Sequence, residues 1–132
     1  MTKEQWKVVE TELSGFFGDV TLMCDGFELG LICVNVNRRL EICIFVNGKV
    51  EGAWALKDCE ERRRFHRPVR ISAHSSKFKK SLKDIGKKTL KKHGVDLDEK
   101  LTCYTTFWPT FKPLKAHLIK NNPSIELVKV GI

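Results

Sequence analysis

The chain has 132 residues, 42% of them hydrophobic and 30% charged, which suits one folded domain and not a disordered tail. It is basic, with 24 Lys/Arg against 16 Asp/Glu, and no apolar run approaches the roughly 18 residues of a membrane span. The opening MTKEQWKVVETEL is polar and helical, unlike a secretion signal, and the five cysteines are an odd number; both argue against a disulfide scaffold and for a reducing cytoplasm.

Thr2 followed by Gln5 reads as a capping box. Trp6, Val9, Leu13 and Phe16 then recur at helical spacing and predict one apolar stripe, ended by Gly15 and Gly18. Val20 to Cys24 predicts a strand, and Asp25-Gly26 a turn. Leu29 to Val36, Leu40 to Val46 and Val50 to Leu56 predict three further strands. Asn47-Gly48 suits a tight hairpin because both residues tolerate positive φ. Residues 20–56 thus read as a four-stranded antiparallel meander. Its second strand is apolar on both faces, with Leu29, Leu31 and Cys33 on one and Ile32, Val34 and Val36 on the other. A sheet with one wet face would alternate, so a helix from the C-terminal half or a second copy in a homodimer is expected to cover the second face.

Residues 57–66 predict a short helix ended by Pro68, and Val69 to Ala73 a brief strand. Ser75 or Ser76 then caps a helix running to about His93, with Gly94 as its stop. Such a helix would be about 27 Å long. It would gather Phe78, Leu82, Ile85 and Thr89 on one side and set Lys77, Lys80, Lys83, Lys87, Lys88, Lys91 and Lys92 on the opposite arc. Cys103 to Trp108 predicts a strand, Pro113 to Lys120 a helix stopped by Asn121-Asn122-Pro123, and Ile125 to Val130 a last strand. The fold class is α+β in a single domain over 1–132: N-terminal helix, meander, Lys-rich helix, then C-terminal strand–helix–strand.

Charge carries the functional reading. Residues 1–58 hold 6 Lys/Arg against 9 Asp/Glu, whereas residues 59–132 hold 18 against 7. Between Arg62 and Lys92 stand thirteen basic residues and one acid, Asp84. Such asymmetry points to a polyanionic partner: nucleic acid, or an acidic surface of a nucleic-acid-handling complex. Arg62, Arg63, Arg64, Arg67 and Arg70 offer forked phosphate contacts, and Lys77, Lys80, Lys83, Lys87, Lys88 and Lys91 offer point charges along a helix. Phe65 and His66 interrupt the arginines, with Phe65 expected in the core. Tyr104, Phe107, Trp108 and Phe111 form a second aromatic group, read mainly as packing. Nothing encodes base reading, so binding without sequence specificity is expected.

Catalysis and metals find little footing. Cys24, Cys33, Cys43, Cys59 and Cys103 form no C-x2-C pair, and Cys59, His66 and His74 have no spacing that forces them together. No G-x-S-x-G elbow and no phosphate-binding glycine loop is present, and Ser76 with Lys79 matches a Ser/Lys pattern only because the segment is lysine-rich. A small nuclease is the third-ranked reading, resting on Asp96, Asp98 and Glu99 beside Lys100; these acids also read as a solvated loop. No cofactor, metal or catalytic residue is expected.

The stretch YTTFWPTFKPLKAHLIKNNPSIEL, Tyr104 to Leu127, resembles the tails of small uncharacterised phage and prophage proteins. The resemblance implies a short accessory protein made during infection. Such proteins often block host machinery, including CRISPR effectors. The alternative to nucleic-acid binding is therefore an inhibitor of a host defence complex acting by protein–protein contact.

Overall fold

A computed structural model describes residues 1–131. The elements in chain order are α1 (Lys3–Leu13), β1 (Asp19–Cys24), β2 (Phe27–Val36), β3 (Arg39–Val46), α2 (Ala53–Leu56), α3 (Glu60–Phe65), β4 (Arg67–Ser72), α4 (Ser76–Ser81), α5 (Lys87–Lys92), β5 (Lys100–Thr105), β6 (Phe107–Trp108), α6 (Phe111–Asn121) and β7 (Ile125–Val130). The α+β class holds. The chain divides into two compact units: Met1–Arg67 together with the chain from Tyr104 onward, and Pro68–Cys103, which is inserted between the two parts of the first.

The first unit is built on a five-stranded sheet of order β6-β3-β2-β1-β7. Its centre is legible locally. Thr2 and Gln5 form the reciprocal capping box that opens α1. Both residues of Asp25-Gly26 (φ 47° and 88°), Asn37-Arg38 (49° and 66°) and Asn47-Gly48 (51° and 77°) lie at positive φ. That is the twist a two-residue hairpin needs, and it fixes the antiparallel registers Cys24↔Phe27 and Val36↔Arg39. One sheet face carries Val20, Leu22, Leu29, Leu31, Ile42, Ile44 and Val46, buried with Trp6, Val9 and Leu13 of α1 and with Leu114 and Leu118 of α6. The other face keeps Met23, Ile32, Val34 and Phe45 only partly covered.

Two expectations are corrected in this unit. Residues 50–56 do not form a fourth meander strand. Asn47-Gly48 closes its turn, with Val46 and Lys49 exchanging backbone hydrogen bonds of 2.9 and 3.0 Å, but the chain then leaves the sheet and coils into α2. The edge of β3 is taken instead by β6, through Ile42↔Trp108 and Cys43↔Phe107, and by the Ile44 N–H to the Thr106 carbonyl at 3.1 Å. That pairing goes with the burial of Trp108 to 3% exposure, whereas Trp54 in α2 packs only partly buried against the same core. Phe16 also departs from the stripe: α1 ends at Leu13, and Phe16 is 63% exposed.

The second unit contains a two-stranded sheet of β4 and β5 joined through α4 and α5. The expected single Lys-rich helix is two helices of six residues each, interrupted at Leu82–Gly86. Gly86 sits at φ −62°, ψ 146°, extended and outside the helix. Glycine weakens a helix interior by about 1 kcal/mol, and lysines three and four apart repel along a continuous helix. Ser75 caps α4 as expected, its hydroxyl accepting from the Phe78 N–H at 3.1 Å. Cys103 to Trp108, expected as one strand, divides at Thr106 between β5 and β6 in different sheets.

Candidate nucleic-acid interface

The arginines separate into two kinds. Arg64 is a structural tie. Its guanidinium donates to Asp25 at 2.7 Å, Glu60 at 2.9 Å and Asn122 at 3.1 Å. Asp25 in turn accepts from the Ser124 N–H, so this one side chain joins the β1–β2 turn, α3 and the end of α6. The hydrogen bond to Asp25 raises the Arg64 pKa above its ordinary value. Arg62 lies over the Tyr104 ring, 3.9 Å from its centroid, and pairs with Asp58 at 3.5 Å. Arg63 shares Asp58 at the same distance but is open to solvent. Arg67 is half-buried at the start of β4, and Arg70 is exposed. Acids of the first unit thus neutralise much of the Arg62–Arg64 charge.

The lysines are different. Lys77 and Lys80 stand on α4, Lys83 in the following turn, and Lys87, Lys88 and Lys91 on α5; all six are exposed. Among the described residues, Lys87 alone of these has an acidic partner, Asp98 at 3.4 Å, and that pair is open to water on both sides and weak. The Pro68–Cys103 unit carries ten Lys/Arg against four Asp/Glu, whereas the larger unit carries fourteen against twelve. Most of the net charge is therefore concentrated in 36 residues. The acidic loop of this unit is locally engaged: the Asp96 carboxylate accepts from the Asp98 N–H at 3.0 Å, and Glu99 stands 3.7 Å from His74.

The aromatic residues singled out in the sequence have packing partners. Phe65 is fully buried and meets Phe27 edge-on at 5.6 Å. Trp108 donates its indole N–H to the Phe65 carbonyl at 3.1 Å and contacts the His117 ring. Phe111 packs on Trp6, and Tyr104 lies under Arg62. Phe78, placed in the core stripe by its helical spacing, behaves otherwise: it is 41% exposed and stacked on His74 at 5.1 Å with 25° between the rings. The sequence signal for this was Gly86, because breaking the helix leaves the stripe Phe78–Leu82–Ile85 without its continuation.

The buried groups favour no nucleophile. All five cysteines are free, and burial raises the Cys43 and Cys33 thiols and pushes Cys24 up to about 12, with Asp25 adding to the shift. Such thiols stay protonated and weakly reactive. Among the described residues no three His, Cys, Asp or Glu side chains gather to hold a metal, and no helix is long and apolar enough to cross a membrane. No family model matches the chain, and neither a curated protein nor a solved structure matches it.

Proposed function

We propose that this chain is a non-enzymatic protein that binds nucleic acid without sequence specificity, through the lysine surface of the inserted unit. The observation that carries this reading is the concentration of ten basic against four acidic residues in Pro68–Cys103, with every lysine of α4 and α5 except the partly covered Lys79 exposed and, among the described residues, only Lys87 paired with an acid. Exposed ammonium groups on short helices displace condensed counterions from a phosphate backbone, and that release drives association. The sequence encodes no base-reading motif, so sequence is expected to enter weakly. The arginines Arg62 and Arg64 serve the fold in this reading, and Arg70 joins the lysines.

The test is affinity against salt. Neutralising about six phosphates gives a log–log slope near −5 on duplex, and a loss of about a thousandfold between 50 and 200 mM salt. Absent or salt-insensitive binding to both duplex and single strands overturns the proposal. Charge reversal at Lys87, Lys88 and Lys91 is expected to flatten the slope by about three units.

The partly covered sheet face of Met23, Ile32, Val34 and Phe45 favours a second reading, an inhibitor of a host defence complex acting by protein contact. Partners that survive nuclease treatment of a host lysate support it; partners lost with the nucleic acid support the first.

A further inference from the structure

We infer that the inserted unit prefers single-stranded nucleic acid, with Phe78 as the ring on which an unpaired base stacks. The inference rests on the polyanion reading above and names its substrate class. Phe78 is the one aromatic residue of Pro68–Cys103 apart from its histidines. A core residue would be enclosed; Phe78 is 41% exposed in the middle of a lysine-rich segment. His74 lies against it at 5.1 Å and 25°, nearly parallel. His74 thus stacks on one side of the phenyl ring, while the residue as a whole stays open to solvent. A base set there would extend an existing two-ring stack without reordering it.

The surrounding chemistry fits the same ligand. Phe78 stands in a run of lysines, Lys77, Lys79 and Lys80 on α4 and Lys83 in the turn after it, which supplies positive charge along the same short segment. The Ser75 hydroxyl is occupied as the helix cap and fixes the first turn, holding the Phe78 backbone in place. An exposed, stacked aromatic ring within a lysine-rich segment suits a strand whose bases are unstacked, because each base presents a π-face and each linkage a charge. A duplex hides its base faces in its own stack and has only phosphates to offer, so it gains from the lysines and not from Phe78.

The experiment compares fluorescein-labelled oligothymidylate of about 16 nucleotides with a duplex of the same length, at fixed salt, for the whole chain. The single strand is expected to bind more tightly. Phe78→Leu keeps the apolar bulk and removes the π-face; it is expected to weaken single-strand binding about tenfold and leave duplex binding unchanged. Phe78→Trp is expected to keep single-strand affinity and to report stacking directly, as quenching of indole emission beyond any change seen from Trp6, Trp54 and Trp108 in the parent chain. Circular dichroism confirms that both variants fold. Equal or tighter duplex binding, or no effect of Phe78→Leu on the single strand, overturns the inference while leaving the polyanion reading intact. Failure of both probes to bind in a salt-dependent way removes the two together.

Discussion

Arg64 shows at the level of one side chain why basic residues in a cluster need not share a task. It stands between two arginines, yet its partners are Asp25, Glu60 and Asn122, and its side chain is 21% exposed. Arg64→Met strands the half-buried Asp25 carboxylate, and is expected to cost about 2–3 kcal/mol in urea unfolding while leaving nucleic-acid affinity within about twofold. His66 and His117 give a second expectation. Burial lowers both pKa values from the ordinary 6.5, helped at His66 by Arg62 and at His117 by Lys120 and opposed there by the hydrogen bond with the Arg63 carbonyl. The folded state therefore resists protonation more than the unfolded chain. Their contribution is complete above the unfolded value of 6.5 and declines as pH falls through it toward the lower folded values. The urea midpoint is expected to drop between about pH 7 and 5, and His66→Asn with His117→Gln is expected to flatten that decline.

Secondary-structure elements divide by the range of the contacts that decide them. Thr2 with Gln5, Asp25-Gly26 and Asn47-Gly48 carry their own hydrogen-bonding or conformational logic, so α1 and the turns of the meander were readable residue by residue. Thr2→Ala is expected to cost about 1 kcal/mol, read by thermal melting. The exchange of 50–56 for β6 was not readable, because it is decided by a pairing more than sixty residues away and by the burial of Trp108. The lysines were readable as a charge run, but not as two short helices: Gly86 was visible, and its effect against the helical spacing of Phe78, Leu82, Ile85 and Thr89 was not. Gly86 has no heavy atom within 4 Å of an added Cβ and no positive φ. Gly86→Ala is therefore expected to be tolerated and to raise helical content, and with it to alter affinity if the break between α4 and α5 sets the spacing of the charges.

The whole molecule partitions packing and charge. The larger unit holds the five-stranded sheet and almost all of the buried side chains; in Pro68–Cys103 Leu90 is the one buried hydrophobic residue. Amide exchange is expected to be fastest in the inserted unit and slowest in β1, β2 and β3, a difference mass spectrometry resolves peptide by peptide. The boundary at Arg67 and Tyr104 was hidden: the sequence reads as one domain, Arg67 falls between an expected helix and an expected strand, and Tyr104 lies inside the expected strand Cys103 to Trp108. The sheet order has a consequence for biosynthesis. Both outer strands, β6 and β7, come from the last part of the chain. While a ribosome is still extending the polypeptide, the completed hairpins of β1, β2 and β3 present two raw flanks to the crowded interior of a cell. Only when residues 107–130 emerge are both flanks sealed, so a prematurely terminated product would be a seed for aggregation and not merely an inactive fragment.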